Sequence, residues 1–287
     1  LSMLQTAVRT VGERGMKALV IFNEGDNFSA GANIGLALFA ANVAAWPMLA
    51  EMISQGQATM QALKFAPFPV VGAPAGMALG GACEALLHCS AIQAHAETYM
   101  GLVEVGVGIV PAWGGCKEML IRHQPGPADP KGPMPATIAA FEQISRAKVS
   151  SSAAEAREMR FLRAHDRITM NRDRLLSDAR TLALEISDGG YAPPEPVAIR
   201  LPGPAGRAAL DLAIRDFALQ GLATAHDLTV AAQLATVLSG GDADPVAPAP
   251  EDRILGLEKD AFMALVKTEP TLARMEAMLT TGKPLRN

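Results

Sequence analysis

The spacing of apolar positions changes character along this chain of 287 residues. Leu4, Ala7, Val8 and Val11 recur at helical intervals, which predicts a helix over residues 2–13. Residues 17–22, Lys-Ala-Leu-Val-Ile-Phe, form a short apolar run of the kind that makes a buried strand. A polar turn follows at 23–27. The alanine-rich apolar stretch from 35 to 52 contains Trp46, Pro47 and Glu51, and it reads as a core helix rather than a membrane span. A helix is expected over 49–64. A second buried strand, Pro69-Val70-Val71-Gly72-Ala73-Pro74, leads through Ala75-Gly76 into a helix that starts near Gly80 and covers Glu84 to His88. Short strands are expected at 91–94 and 98–101. Strand and helix alternate, which indicates an α/β fold with buried parallel strands.

Beyond a proline-rich loop at 124–135 the period is almost wholly helical. Helices are expected over 136–147, 152–160, 171–187, 205–220, 224–238 and 251–281. Met159 and Met170 suit helical packing. A linker with three prolines, Tyr191-Ala192-Pro193-Pro194-Glu195-Pro196, and a second at 240–250 divide this part. No repeat of fixed period runs through the chain.

Composition narrows the function classes. With 49% hydrophobic and 19% charged residues the chain can bury a sizeable core. A net charge of −4 without a basic stripe argues against nucleic acid, and no segment reads as a membrane anchor. Cys83, Cys89 and Cys116 have neither metal-ligand spacing nor an even-numbered disulfide framework, so they read as buried thiols of a cytoplasmic protein. No Gly-x-Gly-x-x-Gly follows a strand, so no dinucleotide site is expected in this chain. The opening Leu1-Ser2-Met3-Leu4 begins inside a helical pattern, and further natural sequence is expected upstream.

The candidate chemistry lies in the most apolar region. Glu84 ends the frame Gly76-Met77-Ala78-Leu79-Gly80-Gly81-Ala82-Cys83-Glu84, and Glu104 follows Gly101-Leu102-Val103. Carboxylates are rarely buried unless paired or functional, and two in an apolar cleft suit acid/base work. Small residues at Phe28-Ser29-Ala30-Gly31-Ala32 and at Gly80-Gly81 leave backbone amides accessible. Two converging amides would stabilise a carbonyl oxygen that gains charge. The plainer alternatives are a pair of tight packing turns and two surface glutamates paired with lysines. His88, His95, His123, His165 and His226 lack partners at metal spacing. Asp166-Arg167 and Asn171-Arg172-Asp173-Arg174 read as helix caps and solvated ion pairs.

Four segments in order resemble the crotonase superfamily, the enoyl-CoA hydratase/isomerase group. They are Phe28-Ser29-Ala30-Gly31-Ala32, Pro74 through Glu84, Gly101-Leu102-Val103-Glu104, and Gly108-Ile109-Val110-Pro111-Ala112-Trp113-Gly114-Gly115. The likeness continues more loosely through Ser152-Ala153-Ala154-Glu155-Ala156 to about Asp188. It implies a crotonase-like ββα spiral core over 1–190, its first strands missing, followed by an all-helical C-terminal extension over 191–287. It implies an oxyanion hole from the amides of Ala30 and Gly81. Glu84 would accept a proton as water adds to the β-carbon of an enoyl thioester, and Glu104 would deliver one to the α-carbon. Ala32, Ile34, Pro111 and Trp113 would line the acyl pocket, with no metal. Asn33, where the family most often has Asp, and the Ala112-Trp113 pair depart from the pattern.

The implied activity is hydration of trans-2-enoyl-CoA to 3-hydroxyacyl-CoA in fatty-acid β-oxidation. Coenzyme A enters as part of the acyl-CoA substrate. The region from Tyr191 to the ending at Arg286-Asn287 resembles the tail of bacterial fusions in which a 3-hydroxyacyl-CoA dehydrogenase precedes the hydratase. NAD would belong to that upstream module. The dehydrogenase module, a thiolase and further copies of the chain are the partners this implies. An enoyl-CoA isomerase or another acyl-CoA enzyme of the same fold is the first alternative. A non-catalytic assembly module for a dehydrogenase or thiolase is the second.

Overall fold

The computed structural model describes residues 1–124, 126 and 131–287. In chain order its elements are α1 (Ser2–Glu13), β1 (Leu19–Phe22), α2 (Ile34–Asn42), α3 (Trp46–Lys64), β2 (Val70–Ala73), β3 (Gly76–Leu79), α4 (Gly81–Leu87), β4 (Ala91–His95) and β5 (Thr98–Gly101). A 3-10 turn (Glu104–Val107) follows, then α5 (Gly115–Arg122), α6 (Met134–Ser145), α7 (Ala153–Glu158), β6 (Arg167–Thr169), a second 3-10 turn (Arg172–Arg174) and α8 (Leu175–Asp188). Four helices complete the chain: α9 (Gly203–Leu219), α10 (Ala225–Ser239), α11 (Glu251–Leu265) and α12 (Glu269–Thr281). The chain forms two compact units interleaved in sequence. The first comprises Leu1–Ala32, Gln55–Gly101 and Val149–Glu195; the second comprises Asn33–Ser54, Leu102–Lys148 and Pro196–Asn287.

The first unit is built on parallel strands. A four-stranded sheet has the order β1-β2-β4-β6, and β3 pairs with β5 in a separate two-stranded sheet. Leu19 lies opposite Val70 and Phe22 opposite Ala73. All of β2 is buried, as a strand with neighbours on both sides requires. The expectation of a buried β1 is corrected, since each of its four residues is half-buried at the sheet edge. One core joins Val71, Ala73, Ala75 and Ala91 to Leu175, Ala179, Leu182 and Ala183 of α8, with Ala18, Val20 and Phe22 packed against it. The small residues of the strands let that helix approach closely, and its apolar positions recur at helical spacing.

The second unit is helical. α10 packs against α5, α6, α9 and α11, and α12 packs against α2. The linker to this region is held by a two-way backbone pair at 2.8 Å between Ile199 and Ala249.

Several sequence expectations are corrected. The apolar stretch over 35–52 is not one core helix: α2 and α3 are separated at 43–45, where Ala44 has φ 53°. Pro47 near the start of α3 has no amide to donate, so it suits a first turn and not a helix interior. The alanines Ala37, Ala40 and Ala41 face inward, whereas Leu36, Phe39, Val43 and Met48 are exposed. The helix expected over 251–281 breaks into α11 and α12, and Pro270 stands in the first turn of the latter. β3 and β6 were not foreseen, because each is short and defined by partners distant in sequence. Asp166 is not a solvated acid. It is buried and accepts from the Ile92 amide at 2.8 Å and the Arg163 amide at 2.6 Å. Met170, expected to pack, is exposed. The proline-rich loop read over 124–135 falls partly outside the described residues, and its last two residues open α6.

Candidate functional site

In the first unit the structure brings the Ala30 loop and the Gly80-Gly81 turn together. Ser29 runs beside β3: its amide donates to the Met77 carbonyl at 3.0 Å, and its carbonyl accepts from the Leu79 amide at 3.0 Å. The Gly80 amide donates to the Gly101 carbonyl at 2.8 Å, which ties the turn to β5. Gly31 has φ 101°, and a Cβ there would stand 2.9 Å from the Leu79 carbonyl oxygen and 3.5 Å from the Gly81 nitrogen. Only glycine combines that conformation with so close an approach. The Gly81 amide belongs to the first turn of α4, whose N–H groups have no intrahelical acceptor. Among the described residues, the Ala30 and Gly81 amides donate to no recorded acceptor.

Glu84 follows in the first turn of α4 with 2% of its surface exposed. Its amide donates to the Gly80 carbonyl at 2.9 Å, and its own carbonyl lies 2.7 Å from His88 Nδ1. Ala32, the last residue of this unit's first segment, is exposed.

Glu104, Ile34, Pro111 and Trp113 belong to the second unit. Glu104 opens the 3-10 turn and is half-buried. That turn closes on itself: the Gly106 amide donates to the Val103 carbonyl at 3.0 Å, Gly108 to Val105 at 3.1 Å, and Ile109 to Glu104 at 3.2 Å. Ile34 begins α2, which Asn33 caps by accepting from the Gly35 amide at 3.0 Å. Asn caps as well as Asp, so Asn33 is suited to starting a helix here. Pro111 is buried, and Trp113 is half-buried just before α5.

Sequence reasoning passed over a buried charged network in the second unit. The Glu258 carboxylate on α11 accepts from the amides of Gly114 at 2.7 Å and Lys117 at 2.9 Å, and so caps α5 from another helix. The Lys117 ammonium, fully buried, lies 2.7 Å from Glu118 and 2.9 Å from Glu251. Burial pushes its pKa down, but the two carboxylates outweigh burial and hold it above the ordinary lysine value. The signal was available: Lys117-Glu118 stands inside an apolar run, where charges must be paired. The same unit carries an open pocket of about 480 Å³ lined by Val105, Phe141, Ile214, Phe217, Asp227 and Arg274, among others.

Among the described residues no group of three or more His, Cys, Asp or Glu side chains is placed to hold a metal. No described helix is long and apolar enough to cross a membrane.

The chain has the crotonase fold, that of the enoyl-CoA hydratases. An enoyl-CoA hydratase from Rhodobacter sphaeroides superposes on the whole chain and on 84% of its own, with a TM-score of 0.67 at 18% identity. One from Bacillus halodurans superposes on 96% of the chain and 88% of its own, with a TM-score of 0.63 at 18% identity. In sequence, the chain is 43% identical over 275 residues to a Bacillus subtilis protein described as a probable 3-hydroxyacyl-CoA dehydrogenase. That match takes in 96% of the chain but 34% of the relative, so the chain spans about a third of that protein's length. A Rickettsia felis protein, provisionally named a fatty acid oxidation complex trifunctional enzyme, is 41% identical over 122 residues, 42% of this chain and 17% of its own. No family model matches the chain.

Proposed function

We propose that this chain is an enoyl-CoA hydratase, adding water across the 2,3 double bond of an acyl-CoA thioester in fatty-acid oxidation. The supporting observation lies within the first unit. The Ala30 loop is pressed against the Gly80-Gly81 turn, two backbone amides there have no protein acceptor among the described residues, and a buried glutamate stands one turn further on. Addition to a conjugated thioester builds enolate charge on the carbonyl oxygen, and the amides of Ala30 and Gly81 are donors suited to that charge. Glu84 is assigned as the base that takes a proton from the attacking water. Glu104 is assigned as the acid that protonates the α-carbon. Hydroxide joins the β-carbon, the proton joins the α-carbon, and no electron donor or acceptor is consumed.

In this reading residues 1–190 form the hydratase part and 191–287 its helical extension. Ala32, Ile34, Pro111 and Trp113 are assigned to the acyl pocket. The Bacillus subtilis relative, described as a probable 3-hydroxyacyl-CoA dehydrogenase, supports association with such a dehydrogenase, which would oxidise the product, and the Rickettsia felis relative supports a place in fatty acid oxidation. Thiolase and homo-oligomer contacts are extensions of the same proposal.

The test is crotonyl-CoA turnover by the chain with product analysis. Glu84→Gln and Glu104→Gln are each expected to lower hydration by at least about 10²-fold. Unchanged turnover in both variants rejects the assignment. A shifted double bond without a 3-hydroxyacyl product replaces it with an isomerase, and failure to bind acyl-CoA replaces it with an assembly module.

A further inference from the structure

The turn that carries Glu104 is held from outside by residues that enter the chain more than a hundred positions later. Thr271 on α12 donates its hydroxyl proton to the Gly108 carbonyl at 2.8 Å. With that proton committed, the Thr271 oxygen is left to accept, and His226 Nε2 lies 2.8 Å from it. This sets the imidazole as the Nε2–H tautomer. Gly108 presses onto both groups: a Cβ there would stand 2.8 Å from Thr271 Oγ1 and 3.2 Å from His226 Nε2. The Arg274 guanidinium lies 3.5 Å from the Val105 carbonyl at the other end of the turn. Thr271 is fully buried, and His226 and Arg274 nearly so.

The helix start that supplies His226 is itself capped. α10 opens with a reciprocal capping box, in which the Asp227 amide donates to Thr224 Oγ1 at 3.2 Å and the Thr224 amide donates to the Asp227 carboxylate at 2.9 Å. His226 lies between those two residues. Thr271 and Arg274 are three apart on α12 and share a face. Arg274 reaches Asp227 at 2.7 Å and Thr224 at 3.2 Å, so the guanidinium ties the start of α10 to α12.

We propose that His226, Thr271 and Arg274 act as positioning residues, a clasp that locks the Glu104–Val107 turn and thereby presents the Glu104 carboxyl in one place. The consequence for catalysis rests on the assignment of Glu104 as the proton donor; the clasp itself does not. A displacement of about 1 Å in a reacting group can cost about 10²-fold in rate. A threonine hydroxyl far from the turn in sequence can therefore govern turnover without touching substrate.

Two measurements on the whole chain separate the claims. The first is amide hydrogen exchange in the segment over 103–109. Thr271→Val keeps the shape and loses the hydroxyl; exchange there should quicken about tenfold while the segment over 76–87 is unchanged. Thr271→Ser should restore protection. Unaltered exchange in Thr271→Val, in a chain that melts cooperatively, overturns the clasp whether or not the chain turns over. The second is crotonyl-CoA hydration. Thr271→Val should lower kcat by about 10- to 100-fold with KM nearly unchanged, and Thr271→Ser should recover most of it. Added to Glu104→Gln, Thr271→Val should cost nothing more. Additive losses overturn positioning through Glu104. Quickened exchange together with a fully active Glu104→Gln leaves the clasp standing and removes the proton-donor assignment instead.

Discussion

The two candidate glutamates are supported in opposite ways. Glu84 stands in a scaffold made of its own neighbourhood: glycines at 31, 80 and 81, a strand partner at Ser29, and the first turn of a short helix. The hydrogen bonds that join Ser29 to β3 and Gly80 to β5 run backbone to backbone. Glu104 stands on a turn whose outer ties are side chains, from His226, Thr271 and Arg274 on two late helices. Backbone scaffolds of this kind depend on which positions tolerate glycine alone. Side-chain scaffolds depend on hydroxyls and charges that must be buried and satisfied together. The first should fail when a methyl group is added, the second when a polar atom is removed.

The largest effect is expected in the helical unit. Lys117→Met removes a buried ammonium from beside Glu118 and Glu251, and it should destabilise the fold by about 3–5 kcal/mol, read from guanidinium unfolding. A loss below about 1 kcal/mol would show that those carboxylates are re-solvated, and the contrast between the units would weaken. Next comes Gly31→Ala. Its Cβ meets the Leu79 carbonyl at a backbone angle that side chains avoid, so about 1–3 kcal/mol of strain is expected. Hydration should fall with it, by up to the 10²–10³-fold attached to a lost oxyanion donor. Full activity in this variant would separate the Ala30 loop from the chemistry.

The smallest expected effect is on pH dependence. Burial first, and then Arg274, hold the His226 pKa below its usual 6.5, against the opposing pull of Asp227. The unfolded chain therefore takes up this proton before the folded one. Stability should be level above about pH 6.5 and fall as pH drops below it towards the folded value. Asp227 is lowered too. Burial raises it, but bonds from Thr224 and Arg274 more than offset that, so its contribution is present above its usual 3.8 and lost as pH falls towards the folded value. His226→Gln should flatten the first of these slopes and leave the second. An unchanged slope between pH 6.5 and 5 would mean that the imidazole titrates alike in both states.

Legibility followed the range of the interactions. The runs at 19–22 and 70–73 announced strands because continuous apolar residues need cover on both faces, and α1, α8 and α10 announced themselves by period. The glycine frames around Ala30 and Gly81 were legible for a similar reason: small residues in a row declare close backbone approach. β3 and β6 were not, since Gly-Met-Ala-Leu and Arg-Ile-Thr have no strand pattern until β5 and β4 lie beside them. Asp166 was misread as solvated because nothing near it in sequence shows that the Ile92 amide will need an acceptor. The exposure of Leu36 and Phe39 was missed because an alanine-rich helix can bury either its small face or its large one.

Local pattern was enough to read the parallel α/β beginning, the helical ending and the two glycine turns with the glutamate that follows them. These rest on periodicity and on the steric demands of single residues, which the chain states locally. Which charges are buried together at Lys117, and which side chains hold the Glu104 turn from α10 and α12, emerged from packing between distant segments. A buried polar group must be matched by a partner at hydrogen-bond distance, and that partner can come from anywhere in the chain.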